Sequence, residues 1–295
     1  MSLLAVPNLS EGRDFAVLER LQDSLGTDVA LLDLHADIDH NRAVFTVAGP
    51  SPDLERSMLA LAGAAAREIE MPEWSGIHPA IGALDVCPIV WVAEQDREPA
   101  SECARSVAAG IGELGIPVFL YGDLATDPER RERAWFRSGG LDRLWERMVA
   151  GDLPPDFGPD RPHPRAGAAL VTARPPLAAF NLELDTDDLV LAKRIAAAIR
   201  EGGGRSGLPG VRAIGLVLST GRAQVSVNVH DPISLPLVRV VDAAREVAAE
   251  AGAEVVAAEL VGMIPERALE GYPEDLPIRD FDPALRVIER RLEQG

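Results

Sequence analysis

A single imidazole at the mouth of an apolar strand is the part of this chain best suited to moving protons. The stretch Ile77-His78-Pro79-Ala80-Ile81-Gly82-Ala83-Leu84-Asp85-Val86-Cys87-Pro88 carries one of only five histidines. Pro79 fixes the chain direction after the histidine, and Gly82 permits close backbone approach where the strand begins. An imidazole with its ordinary pKa near 6.5 is both acid and base at neutral pH, so His78 is the leading candidate for proton transfer. On that residue alone, a structural role at a loop carbonyl competes. A second polar group, His35-Ala36-Asp37-Ile38-Asp39-His40, gathers two imidazoles and two carboxylates. Its composition suits a divalent ion, but it joins two strands where Asp is a favoured turn residue, and no helical histidine pair accompanies it. It reads as a polar active-site hairpin, and no metal is expected. The run Gly202-Gly203-Gly204-Arg205-Ser206-Gly207 closes a helix and precedes a strand, the reverse of a phosphate loop, so it reads as a helix-terminating turn.

The elements that must position these residues follow one plan twice. Leu3 to Val6 reads as a strand and Arg13 to Leu25 as an amphipathic helix, with Asn8 and Ser10 as candidate caps. Strands Val29 to Leu34 and Ala43 to Ala48, a helix Pro52 to Glu70 opened by Ser51, and a strand Ala83 to Val92 complete the first set. The second set is strand Leu177 to Leu184, helix Asp187 to Glu201 after Thr186, strands Val211 to Leu218 and Gln224 to Val229, helix Leu235 to Ala251 and strand Glu254 to Val261. The order predicts an α+β fold of two tandem ferredoxin-like (split βαβ) subdomains. Gly49-Pro50 and Asp231-Pro232 mark matching turns before the second helix of each. An α/β insertion lies between the two sets: a helix near Ser101 to Leu114, a strand Pro117 to Leu120 and charged helices from Pro128 to Val149. The connector Pro154-Pro155-Asp156-Phe157-Gly158-Pro159-Asp160-Arg161-Pro162-His163-Pro164-Arg165-Ala166-Gly167 excludes helix and central strand. With Phe157, Arg161, His163 and Arg165 among rigidifying prolines, it reads as an ordered wall of a cleft between the halves.

Composition narrows the partners. The 295 residues hold 47 Asp plus Glu against 29 Lys plus Arg, a formal charge of −18, which opposes nonspecific binding to nucleic acid or anionic lipid. Aromatics make up only 4 %, too few for base-stacking platforms. Two cysteines, Cys87 in a presumed strand and Cys103 in a presumed helix, offer no disulfide framework or thiolate metal site. No basic leader and no run of about 18 uncharged apolar residues occurs, so a cytoplasmic protein is expected.

Several motifs together resemble a known family. They are Val6-Pro7-Asn8-Leu9-Ser10-Glu11-Gly12-Arg13, His40-Asn41-Arg42, His78 through Pro88, Pro117-Val118-Phe119-Leu120-Tyr121-Gly122, Pro155-Asp156-Phe157-Gly158-Pro159, Ala179-Phe180-Asn181, Gln224-Val225-Ser226-Val227-Asn228 and Glu259-Leu260-Val261-Gly262. From about Leu4 to Ala268 the chain resembles the glutamate formimidoyltransferases, the formiminotransferase part of formiminotransferase-cyclodeaminase. The resemblance implies subdomains at 1–176 and 177–295, a homodimer, and transfer of a formimino group from N-formimino-L-glutamate to N5 of tetrahydrofolate, within histidine degradation and one-carbon metabolism. Tetrahydrofolate is then the co-substrate, and His78 is the general base and acid. Gly158, Pro159, Asp160, Arg161, Pro162, His163, Pro164, Arg165, Ala166 and Gly167 are then the folate-binding segment. Substrate-binding positions would be Asp37, Asp39, His40, Asn41, Arg42 and Arg174. Asp37, Asp39 or Asp85 would orient His78, and Arg42, Arg161, Arg165 and Arg174 are candidates for the substrates' carboxylates, which a planar guanidinium binds bidentately. Leu9, Gly122-Asp123-Leu124-Ala125, Val227 and Arg165 depart from the family pattern. The bifunctional members continue into a helical cyclodeaminase domain, so a separate cyclodeaminase is expected downstream. Formyl transfer between glutamate and folate N5, and a folate or amino-acid binding module without catalysis, are the alternatives.

Overall fold

The computed structural model describes residues 3–77 and 79–293; His78 itself lies outside the described residues. Two compact units divide the chain, Met1–Pro175 and Pro176–Gly295. Among the described residues no helix is long and apolar enough to cross a membrane.

The first unit begins β1 (Leu3–Ala5), β2 (Asn8–Leu9), α1 (Phe15–Asp23), β3 (Ala30–Asp37), β4 (Arg42–Gly49), α2 (Ser51–Glu68) and β5 (Leu84–Val90). It continues with α3 (Arg97–Glu113), β6 (Val118–Leu120), α4 (Arg133–Arg137), α5 (Gly140–Val149) and β7 (Ala169–Arg174). β1 and β2 form one line interrupted at Pro7, which has no N–H for the ladder. Both lie antiparallel between β4 and β5, and β3 pairs beyond β4. The spatial order is therefore second, third, first and fourth strand. Past β5 the sheet turns parallel through β7 to β6. Period-two alternation sends Leu3, Ala5, Leu9, Phe45 and Val47 to one face, where Leu18 and Leu21 of α1 and Leu54, Met58 and Leu61 of α2 join them in one core. A second core forms on the opposite face, where Val86, Phe119 and Leu170 meet Phe136, Leu144 and Met148 of α4 and α5. Phe136 stacks on Phe119 at 5.2 Å between centroids, and its burial, on the order of 2–3 kcal/mol, pins the short α4.

The second unit runs β8 (Ala178–Leu184), α6 (Leu189–Ile199), β9 (Val211–Val217), β10 (Ala223–Val229), α7 (Leu237–Ala249), β11 (Val255–Val261), β12 (Ile278–Arg279), α8 (Pro283–Arg286) and α9 (Ile288–Leu292). Its sheet order β9-β10-β8-β11 is again second, third, first, fourth, with β12 added parallel to β11. Phe180, Leu182, Leu184, Val225, Val227 and Leu260 pack under Ile195 and Ile199 of α6 and Val240 and Val241 of α7.

One local expectation changes, one is refined and one element is added. The first helix starts after Asp14, whose carboxylate accepts from the N–H groups of Ala16 and Val17; Asn8 is a strand residue, and the Ser10 hydroxyl donates to the Gly82 carbonyl. The charged segment 128–149 breaks at Gly139 and Gly140, both at positive φ, into a 3₁₀ turn and two helices. The buried run after the connector is a sheet strand, β7, inserted between β5 and β6. As expected, the glycine-rich run 202–207 closes α6, with the N–H of Gly203 returning to the Arg200 carbonyl at 2.8 Å.

Candidate active site

Both flanks of the histidine position are anchored within the first unit. On the upstream side, the Trp74 indole donates to the Asn41 carbonyl (3.2 Å) and the Asn41 amide donates to the Ser75 carbonyl (3.1 Å). Asn41 also accepts from the N–H of Gly12 (3.1 Å), so one side chain ties the β3–β4 hairpin to the Gly12 loop and to the 74–77 segment. It does so from a left-handed conformation, φ 48°, that Asn tolerates better than most residues. Gly12 lies so close to the hairpin that a Cβ would meet the Asp37 carbonyl at 2.3 Å. Arg13 adds bonds to the Ile38 carbonyl (2.8 Å) and the Ser75 hydroxyl (3.4 Å). Downstream, Ala83 N–H donates to Ala166, Ala168 N–H to Ile81, and Ser10 N–H to Ala83, each near 3.0 Å or shorter. Gly82 and Gly167 form an antiparallel bridge in which a Cβ on Gly82 would sit 1.8 Å from the Ala168 carbonyl oxygen.

The end of the folate segment expected from sequence therefore lies against the histidine loop. Asp156 helps fix its start: the carboxylate accepts from Leu120 N–H (2.8 Å) and pairs with Arg130 (3.4 Å), both side chains buried. Within the segment, His163 Nδ1 accepts from the N–H groups of Arg165 (3.2 Å) and Ala166 (2.9 Å). Burial, then the neighbouring Arg165 charge, lowers the His163 pKa, so the ring is neutral and its proton sits on Nε2. Its neighbour Arg165 turns to α2, donating to the Arg67 carbonyl (2.8 Å) and pairing with Glu70 (3.0 Å). His163 and Arg165 line a cleft of about 400 Å³ with Gly63, Ala66, Arg67, Leu114 and Ile116. Gly158, Asp160, Arg161 and Pro164 are exposed, Pro159 is half-buried, and Pro162, Ala166 and Gly167 are buried. The segment thus divides between an exposed bend and a buried tail.

On the face of β4 and β5 opposite α1 and α2 lies a cationic cluster. Asp37 stands opposite Arg42 in the β3–β4 register, and both its oxygens are engaged by His40, through the ring Nδ1 (2.6 Å) and the N–H (2.9 Å). Burial works against the Asp37 charge, yet those hydrogen bonds outweigh it and hold the carboxyl below its ordinary pKa. Asp85, 1 % exposed, accepts from Ile81 N–H (2.8 Å) through one oxygen and from Arg137 through the other. Arg42 is pushed down to about 9 by burial first and then by the charges of Arg137 and Arg133. Burial also lowers Arg174, to about 10, against a hydrogen bond with Tyr121. Burial is the largest cause of both shifts, and neighbouring arginine charges add to it.

Sequence reading placed Asp37, His40, Asn41, Arg42 and Arg174 in the site, and the structure gathers them on this face or its hairpin. Asp39 contributes a backbone carbonyl to Ile77 N–H (3.5 Å). Beside them lie Arg133, Arg137 and Tyr121, which are not among the residues expected from sequence. Their signal is the spacing of two arginines four apart around Phe136, which puts both on one side of α4 while Phe136 enters the core.

Known proteins similar to this chain belong to one family. The family model described as "Formiminotransferase domain, N-terminal subdomain" matches residues 2–174, and that described as "Formiminotransferase domain" matches 179–272. A glutamate formimidoyltransferase of Streptococcus pyogenes is 38 % identical over 97 % of this chain and 97 % of its own length. One of Thermoplasma acidophilum is 35 % identical over 100 % of this chain and 99 % of its own length. The formimidoyltransferase-cyclodeaminase of Mus musculus is 36 % identical over 97 % of this chain, which spans 56 % of that longer protein.

Proposed function

The chain belongs to the formiminotransferase family, and from that premise we propose that it transfers the formimino group of N-formimino-L-glutamate to N5 of tetrahydrofolate. The observation that carries this reading is the end-to-end similarity to the Streptococcus enzyme. Tetrahydrofolate serves as co-substrate. The shared strand order supports reading each unit, 1–176 and 177–295, as ferredoxin-like. Family membership supports a homodimer acting in histidine degradation, and the acidic composition is in keeping with a cytoplasmic setting.

In the proposed chemistry, N5 attacks the amidine carbon and gives a tetrahedral centre bearing three nitrogens. The proton lost from N5 must reach the glutamate nitrogen before the bond from carbon to that nitrogen breaks. The products are 5-formiminotetrahydrofolate and glutamate, with no net change in protons. His78 takes the first proton and delivers the second, a role worth about 10²- to 10⁴-fold in rate. The anchored flanks support this assignment, because a group that shuttles a proton between two nitrogens must keep one position in both steps. Residues 158–167 form the folate segment, and Asp37, Asp39, His40, Asn41, Arg42 and Arg174 serve the substrates; a cationic face suits molecules that both carry carboxylates.

The deciding experiment offers tetrahydrofolate with formiminoglutamate or with formylglutamate and follows the absorbance of the distinct products. Turnover of the formimino donor is expected. Turnover of the formyl donor alone would replace the reading with formyl transfer, and folate binding without either reaction would replace it with a binding module.

A further inference from the structure

The cationic face contains one side chain whose hydrogen bonding is incomplete. Arg137 is 8 % exposed at its side chain; one terminal nitrogen donates to Asp85, while its Nε is buried and has no hydrogen-bond partner among the described residues. A buried donor without an acceptor is costly, and a second charged oxygen at that edge removes the cost. The Nε edge of a guanidinium is half of the fork that a carboxylate fits. Arg42 and Arg133 stand close enough to feel the Arg137 charge. The opposing carboxylates are Asp85, Asp37, already bonded to His40, and Glu132 at the exposed rim beside Arg133. Arg174, which feels the Arg133 charge, makes four cations against these three carboxylates.

Resting on the formimidoyltransferase reading above, we propose that Arg137 is a specificity-determining residue that holds one carboxylate of the dicarboxylic amino-acid donor, with Arg42 and Arg133 beside it and Asp85 as its positioning partner. Asp85 is suited to that part because its other oxygen fixes the N–H of Ile81, three residues beyond His78. Donor seating and the geometry of the histidine loop thereby share one carboxylate. Phe136, buried between Arg133 and Arg137, keeps α4 in register with the sheet.

The test measures steady-state kinetics of the full chain with tetrahydrofolate and three donors: formiminoglutamate, and its two monoamides in which either the side-chain or the α-carboxylate is neutral. Absence of wild-type turnover with every donor would sink the function reading itself, whatever Arg137 does. Given turnover, Arg137→Gln should lower kcat/KM for formiminoglutamate about 100-fold, mostly through KM, and by at most about threefold for one of the monoamides. Because Arg137→Gln leaves Asp85 buried without its partner, the double variant Asp85→Asn/Arg137→Gln is run beside it; a neutral amide pair keeps the fold, judged by melting, and should show the same loss of donor discrimination. An equal fall on all three donors would overturn the proposal in favour of a structural role. A rise confined to the KM of tetrahydrofolate would overturn it by assigning the cluster to the folate's carboxylate tail.

Discussion

The two units share a strand order and differ in what each sheet's polar face carries. In the first unit that face holds Arg42, Asp85 and Arg174, joined by Arg133 and Arg137 from an insertion that the second unit lacks. In the second unit it holds a different, more acidic set: the Asn181 amide donates to Glu259 (2.9 Å), Glu183 pairs with Arg279 (2.7 Å), and Gln224 stands opposite Glu183. Two sheets with one strand order therefore carry different polar faces. Fold and chemistry separate here, since the repeated elements supply the sheet while α4, the hairpin and the 79–85 and 165–168 segments of one unit supply the charge.

The hardest test of that asymmetry is His78→Ala. Turnover should fall about 10²- to 10⁴-fold while tetrahydrofolate binding, followed by titration calorimetry, changes little. Turnover within a factor of about three of wild type would remove the first unit's claim to the proton transfer.

Glycines at close approaches allow the units to be compared directly. A Cβ on Gly82 would lie 1.8 Å from the Ala168 carbonyl oxygen; one on Gly215, in β9, would lie 2.3 Å from the Lys193 nitrogen of α6. Neither neighbour is a flexible side-chain tip, so Gly82→Ala and Gly215→Ala should each cost about 3 kcal/mol or more in stability. Hydrogen exchange resolved by peptide should place the first loss in residues 79–85 and 165–170 and the second in α6 and β9. Under conditions where both variants are folded, only Gly82→Ala should depress turnover. Equal depression by Gly215→Ala would show that the second unit is as tightly tied to the chemistry as the first.

Capping tests the likeness itself. Asp14 accepts from the N–H groups of Ala16 and Val17 at the start of α1, and Asp188 accepts from those of Val190 and Leu191 at the start of α6. The second helix of each unit likewise begins after a proline in the extended conformation, Pro50 and Pro236. Replacing either aspartate with Ala should cost about 1 kcal/mol and open the local amides to a similar extent. A large difference between the two would mean that the helices share a place in the order but not a local mechanism.

Much of this was legible beforehand because period and punctuation are local. Alternation in Phe180-Asn181-Leu182-Glu183-Leu184 announces a half-buried strand, and Asp or Pro before an apolar period announces a helix start. The pairing of Gly82 with Gly167 was not, since 85 residues separate them and either glycine read alone signals only a turn. β7 is hidden for a related reason: the short apolar stretch after a proline-rich connector alternates with polar residues only at its end, Thr172 and Arg174, and its parallel partners on both sides make it a strand. Arg133 and Arg137 sit in a segment rich in charge, where a solvated helix is the default reading; what distinguishes them is Asp85, some fifty residues earlier in the chain.

The smallest expected effect concerns the 163–167 turn, for which the second unit has no counterpart. His163 Nδ1 accepts two backbone N–H groups, an arrangement open only to the neutral ring. Its folded pKa is lowered from 6.5 by burial and by Arg165, so as pH falls the unfolded chain takes up this proton first. The contribution to stability is thus complete above about 6.5 and is lost as pH drops below that value toward the lower folded pKa. Exchange of the Arg165 and Ala166 amides should accelerate over that window in the wild-type protein. In His163→Asn, whose amide oxygen can accept the same bonds without titrating, the acceleration should vanish. A pH response that survives this substitution would belong to some other group in the first unit, and the 163–167 turn would no longer stand as its pH-sensitive element.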